Sequence, residues 1–119
     1  MIERPQGYEH ETRDCTVVAL TLVCNRSYYG VHGAFKKFGR KDKHGIRAKN
    51  IIQKVCKELN LKCCQVKRSG SVEKFIKDFP SGKYFCLKTG HAFSVIDGVP
   101  INLSASLKSH IQGAWKIEE

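Results

Sequence analysis

The chain reads Lys-Tyr-Phe-Cys-Leu-Lys over residues 83–88 and His-Ala-Phe-Ser-Val-Ile over residues 91–96. Both runs are short and rich in aromatic and β-branched side chains, which favours strands. Asp97-Gly98 follows, and this dipeptide is a strong hairpin signal because a tight two-residue turn needs positive φ at both positions. The stretch therefore predicts antiparallel strands over 83–88, 91–96 and 99–103.

The first half of the chain predicts helices instead. Residues 15–24 follow the potential N-cap Asp14 and are apolar on nearly all sides, which favours a helix buried in the centre of the domain. Their β-branched content would also allow a strand. Apolar periodicity predicts further helices over 28–38 and 47–59.

The remaining segments complete the expected architecture. We expect an edge strand over 61–68, a short helix over 72–79 that Ser71 caps, and a last strand that contains Trp115. Helices that precede antiparallel strands predict an α+β fold. The length of 119 residues predicts one domain, with residues 1–13 as a polar N-terminal arm.

Composition narrows the class of protein. Apolar residues make up 41% and charged residues 27%, which excludes disordered, collagen-like and coiled-coil chains. No apolar run approaches the roughly 20 residues of a membrane span. The first residues lack the apolar centre of a signal peptide, so we expect a cytoplasmic protein. We also expect it to be monomeric and not to bind membranes.

Positive charge is concentrated in the middle of the chain. The net charge is +10, and residues 26–68 hold thirteen basic and two acidic side chains. Such a field attracts polyanions such as nucleic acid or an acidic protein, although solvated helix faces would give the same composition. The candidate basic-surface residues are Arg40, Lys41, Lys43, Arg47 and Lys49.

The six cysteines are expected to be reduced and structural. Most lie among apolar residues, and the adjacent Cys63 and Cys64 lack the Cys-x-x-Cys spacing of a zinc site. We therefore predict no metal and no cofactor. Four of the five histidines have polar or basic neighbours and are expected at the surface: His10, His32, His44 and His110.

Cys15 and His91 are the candidates for chemistry. The first turn of a helix stabilises a thiolate through its unpaired N–H groups and its dipole, and Cys15 directly follows the potential cap. His91 begins an apolar strand after Gly90 and is placed to serve as general base to a thiol.

A third group should orient the imidazole. A two-residue turn at Asp97-Gly98 would place Phe93 opposite Asn102, so that Asn102 lies one diagonal from His91 on the same face of the sheet. A four-residue loop, which Pro100 suggests, would keep the same face but move Asn102 about one pair further away. Asp97 belongs to the turn and lies about 20 Å from His91 along a continuous strand. Asn102 is therefore the predicted orienting residue, with Ser104 as the second choice.

This order of cysteine, histidine and asparagine is similar to that of papain-like cysteine peptidases. The Asp14-Cys15 pair resembles the start of their bacteriocin-processing branch, and residues 14–103 resemble small phage-encoded proteins of papain-like type. The motifs that carry the resemblance are Asp14-Cys-Thr-Val-Val-Ala-Leu, Tyr28-Tyr-Gly-Val-His-Gly-Ala-Phe, Gly39-Arg-Lys-Asp-Lys-His-Gly, Phe79-Pro-Ser-Gly-Lys-Tyr and Gly90-His-Ala-Phe-Ser-Val-Ile-Asp-Gly.

The resemblance implies a reduced papain-like fold with Cys15 as nucleophile, His91 as base and Asn102 as orienting residue. Papain-like enzymes usually place an oxyanion-binding glutamine about six residues before the cysteine, where this chain has Glu9. The alternative donors or caps are backbone N–H groups and the side chains of Gln6, Thr12 and Asp14.

Three functions are consistent with this pattern. The first is a thiol hydrolase that acts on peptide or isopeptide bonds of a host or phage protein in the cytosol of an infected cell. The second is acyl transfer by the same thiol, as in glutamine deamidation or transglutamination. The third is a non-catalytic basic protein that binds nucleic acid or inhibits a host protein.

Overall fold

The computed structural model describes residues 14–40, 48–67, 70–103 and 105–119, so the expected N-terminal arm lies outside the described residues. Within these ranges the helices are α1 (Cys15–Val23), α2 (Tyr28–Lys37), α3 (Ile52–Glu58) and α4 (Val72–Asp78). The strands are β1 (Lys62–Gln65), β2 (Lys83–Lys88), β3 (His91–Ile96), β4 (Val99–Ile101) and β5 (Gly113–Glu118). The strands form one antiparallel sheet in the order β1-β5-β2-β3-β4, which confirms the α+β prediction.

The hairpin between β3 and β4 has the predicted two-residue turn. Ile96 pairs with Val99, and the turn residues Asp97 and Gly98 adopt φ angles of 47° and 78°. The Asp97 carboxylate accepts a hydrogen bond from the Gly82 N–H at 2.9 Å, which ties the turn to the start of β2. Local turn chemistry therefore sets the register between the strand that begins with His91 and the strand that Asn102 directly follows.

Three predicted elements are clearly shorter than expected, and one of them is the edge strand predicted over 61–68, of which only Lys62–Gln65 forms β1. The third helix divides into a 3₁₀ turn at Ala48–Asn50 and α3, because Asn50 belongs to the residue types that favour helix ends over helix interiors. The last part of the 99–103 strand is absent because Asn102 adopts a left-handed φ of 58°. Strand β1 lies at the edge of the sheet, as predicted.

Helices α1, α2 and α3 cover one face of the sheet. Their apolar side chains pack with Phe85 of β2 and with Trp115 and Ile117 of β5. Most residues of α1 are buried, which confirms the expected central helix. Among the described residues, no helix combines the length and apolar character needed to cross a membrane.

The opposite face of the sheet has its own core. Tyr84, Phe93 and Val95 point to this side and pack with Phe75 of α4. Ser71 caps α4 as predicted, since its hydroxyl accepts a hydrogen bond from the Lys74 N–H at 3.2 Å. The alternation of side chains along β2 and β3 thus fills both cores.

Candidate active site

Cys15 is the first residue of α1, and its thiol contacts the start of β3. The side chain is half-buried, and Sγ accepts a hydrogen bond from the Ala92 N–H at 3.4 Å. The fold thus brings Cys15 to the residue that follows His91, 77 positions along the chain. A backbone N–H directed at a sulfur stabilises negative charge on it.

A second contact fixes how α1 lies along β3. The buried Ser94 hydroxyl donates a hydrogen bond to the Ala19 carbonyl oxygen at 2.7 Å. Cys15 and Ala19 are about 6 Å apart along a helix, and Ala92 and Ser94 are about 6.6 Å apart along a strand. The two spacings match, so the helix and the strand meet at two points and the position of Cys15 is well determined.

A hydrogen bond to Asn102, the residue that directly follows β4, orients the His91 ring. Its Nε2 lies 2.6 Å from the backbone carbonyl oxygen of Asn102. A carbonyl oxygen only accepts, so Nε2 carries the proton and donates it, which leaves Nδ1 of the neutral ring as a proton acceptor. In this tautomer Nδ1 could act as a general base towards a thiol that reaches it.

Asn102 is the residue that the sequence predicts for this role, but its contact with His91 involves a different group. The backbone carbonyl oxygen, and not the side-chain amide, accepts the hydrogen bond from His91 Nε2. The left-handed φ of Asn102 ends β4 and sets the direction of this carbonyl. Asp97 lies in the turn as expected, and Ser104 lies outside the described residues.

The Cys15 thiol and the His91 imidazole share no hydrogen bond among the described residues. Among the described residues the hydrogen bond of Cys15 is with Ala92, and that of His91 is with Asn102. Catalytic hydrogen bonds are often long in enzymes without substrate and shorten in the substrate complex. Proton transfer from Sγ to Nδ1 would require the two groups to come within hydrogen-bond distance.

Asp14 occupies the N-cap position of α1, but the prediction that its side chain caps the helix is wrong. The carboxylate makes no capping hydrogen bond, and its Oδ2 instead accepts a hydrogen bond from the Tyr28 hydroxyl at 2.7 Å. Asp14 is only 4% exposed. It ties α1 to α2, and as an acceptor it is excluded as an oxyanion donor. The other side-chain candidates, Gln6 and Thr12, lie outside the described residues.

Backbone groups remain as oxyanion donors. The first hydrogen bond within α1 runs from the Val18 N–H to the Asp14 carbonyl oxygen at 2.9 Å. The N–H groups of Cys15, Thr16 and Val17 therefore have no acceptor within the helix, as at every helix N-terminus. They lie beside Sγ, where the oxyanion of an acyl-transfer intermediate would form.

His32 and Arg40 correct two sequence predictions. His32 was expected at the surface and is 3% exposed, and Arg40 was expected on the basic surface and is 2% exposed. Arg40 Nη1 lies 3.2 Å from His32 Nε2, and since guanidinium groups only donate, His32 Nε2 is the acceptor of this hydrogen bond. The signal for His32 was present in the sequence, because it lies four residues after the buried Tyr28 on the same helical stripe.

Little of the predicted basic surface lies within the described part of the chain. Lys41, Lys43 and Arg47 fall outside it, whereas Lys49 is exposed. Lys49 and Lys67 line a cavity of about 480 Å³ together with Gln65 and Gln112. Lys49 and Lys67 are therefore exposed positive charges at this cavity, whereas Arg40 is buried.

All six cysteines are free thiols, as predicted, but only Cys56 and Cys86 are fully buried. Burial raises the pKa of Cys86 and that of Cys24, which keeps both thiols protonated. Within the described ranges, no group of three His, Cys, Asp or Glu side chains is arranged to hold a metal ion.

Comparison with known proteins adds no relative. No protein-family model matches the chain, and no curated protein or solved structure is significantly similar to it. The contacts around Cys15 and His91 are therefore the evidence that bears on function.

Proposed function

We propose that this protein is a papain-like thiol hydrolase that cleaves peptide or isopeptide bonds, with Cys15 as nucleophile and His91 as general base. The observation that carries the proposal is the hydrogen bond from His91 Nε2 to the Asn102 carbonyl, which leaves Nδ1 free to accept a proton. The contact of the Cys15 thiol with the Ala92 N–H supports it, because it holds the nucleophile at the same end of β3. The resemblance to phage-encoded proteins adds a host or phage protein in the infected cell as the substrate.

The first step is activation and attack. His91 Nδ1 takes the Sγ proton of Cys15, and the thiolate attacks the carbonyl carbon of the scissile bond. The carbonyl oxygen becomes an oxyanion, and the N–H groups in the first turn of α1 donate hydrogen bonds to it. The Asn102 carbonyl stabilises the imidazolium because it accepts the Nε2 proton throughout.

The second step releases the two products. The imidazolium protonates the leaving amine, and the C–N bond breaks to give a thioester at Cys15. Water, deprotonated by His91, then attacks the thioester and regenerates the thiol. If an amine replaced this water, or if the attacked group were a glutamine side chain, the same residues would perform transamidation or deamidation.

A peptide-library experiment tests the proposal. Peptides from a digested bacterial proteome are incubated with the wild-type protein and with Cys15→Ala, and new termini are identified by mass spectrometry. We expect new cleavage sites with the wild-type protein and none with Cys15→Ala. A gain of about one dalton at glutamine without cleavage would replace hydrolysis by deamidation, and no difference between the two proteins would contradict both reactions.

A further inference from the structure

Away from Cys15, three thiols converge where α1, α3 and β1 meet. Cys24 directly follows α1, Cys56 lies in α3 and Cys63 lies in β1. Cys56 and Cys63 share a side-chain hydrogen bond, and Cys24 is near enough for its charge to act on Cys56. Cys24 and Cys63 both pack against the core cluster that contains Cys56.

The two hydrogen-bonded thiols are not equivalent. The hydrogen bond with Cys56 lowers the pKa of Cys63, although burial opposes the effect. The same bond, with burial added, raises the pKa of Cys56. Cys63 is therefore the better nucleophile of the two, and Cys56 keeps its proton beside it.

Cys63 is accessible from solvent, whereas Cys56 is not. Cys63 lines a cavity of about 610 Å³ beside Lys57, Lys62 and Glu119. Cys56 has no exposed surface. A small oxidant can therefore reach the Cys63 sulfur, whereas it cannot reach the Cys56 sulfur directly.

The turn between α3 and β1 holds the pair together. Asn60 adopts a left-handed φ of 61°, and the Leu61 N–H donates to the Cys56 carbonyl oxygen at 2.8 Å. The chain thus leaves α3 and immediately enters β1. The short turn therefore keeps α3, which carries Cys56, beside β1, which carries Cys63.

We propose that Cys56 and Cys63 form a reversible intrachain disulfide when a hydroperoxide oxidises Cys63. The Cys63 thiolate attacks one peroxide oxygen, the O–O bond breaks, and the sulfur becomes a sulfenic acid as hydroxide leaves. The Cys56 sulfur then attacks the Cys63 sulfur, so that the S–S bond forms, the S–O bond breaks and the Cys56 proton leaves with the hydroxyl as water. Two thiols and one hydrogen peroxide thereby give one disulfide and two waters.

Peptide mapping of the reduced full-length protein after treatment with hydrogen peroxide tests this proposal. Remaining thiols are blocked at low pH, and trypsin is used without reductant. Cleavage after Lys54, Lys57, Lys62 and Lys67 separates the two cysteines. We expect residues 55–57 linked to residues 63–67, with a mass about 2 Da below the sum of the two free peptides, and loss of the link on reduction.

Cys64 provides the matched control, because it lies in the same tryptic peptide and is exposed. Cys64→Ser should keep the link, and Cys63→Ser should abolish it. Both variants change residues outside the fully buried core, so both are expected to fold. A link that survives Cys63→Ser, a link to Cys24 instead of Cys56, or oxidation of Cys63 to a sulfinic acid without a link would overturn the proposal.

Discussion

The His91 imidazole donates its Nε2 proton to the backbone carbonyl oxygen of Asn102 at 2.6 Å. The two residues are held in place by the tight turn between β3 and β4, in which Ile96 pairs with Val99. The orientation of the proposed general base is therefore set by backbone geometry. In this respect the site differs from one in which an amide side chain holds the ring.

This difference makes Asn102→Gly informative. Glycine adopts the left-handed φ of Asn102 without steric cost and keeps the carbonyl, so alkylation of Cys15 by iodoacetamide should stay within about threefold of the wild-type rate. A fall of about tenfold or more in the alkylation rate would show that the amide side chain is required, because removing a group that orients a functional side chain usually costs that much.

The buried hydrogen bond between Tyr28 and Asp14 should stabilise the start of α1. Tyr28→Phe leaves the carboxylate without this donor, and we expect the free energy of unfolding to fall by about 1–3 kcal/mol. Urea denaturation measures the change. In a double-mutant cycle with Asp14→Ala, the effect of Tyr28→Phe should shrink, and strictly additive effects would contradict the coupling.

Two glycines should respond oppositely to alanine. A Cβ at Gly113 would lie 2.7 Å from Trp115 Cη2, so Gly113→Ala should lower the free energy of unfolding by about 1–3 kcal/mol. Gly33 is exposed inside α2 with no atom within 4 Å of a Cβ, and Gly33→Ala should raise it by about 0.5–1 kcal/mol. Thermal or urea denaturation of both variants checks the prediction, and destabilisation by Gly33→Ala would contradict it.

Much of the fold could be predicted because its signals are local. Strands β2 and β3 have the predicted bounds, and the Asp97-Gly98 turn has the predicted register. Turn chemistry and alternating apolar residues act within a few positions, so a single sequence carries them. The split near Asn50 was missed because the apolar periodicity continues across it.

The site could be predicted only in part. The pattern nominated Cys15, His91 and Asn102 as candidates, and His91 and Asn102 do share a hydrogen bond. The acceptor is a backbone carbonyl, which leaves no trace in residue identity, so this group could not be predicted. Asp14 was misassigned because its partner, Tyr28, lies on another helix. Arg40 was predicted at the surface because charge patterning does not reveal its contact with the buried His32.

The most direct test of the central claim is the rate at which Cys15 is alkylated by limiting iodoacetamide from pH 5 to 9. Wild-type protein is compared with His91→Ala and with His110→Ala, which removes an exposed histidine. Peptide mapping identifies the alkylated cysteine. We predict that Cys15 reacts faster than the exposed Cys64, and that at neutral pH His91→Ala slows it by at least about tenfold while His110→Ala leaves it unchanged. A Cys15 that reacts no faster than Cys64, or that reacts equally well without His91, would contradict the proposed thiol–imidazole pair.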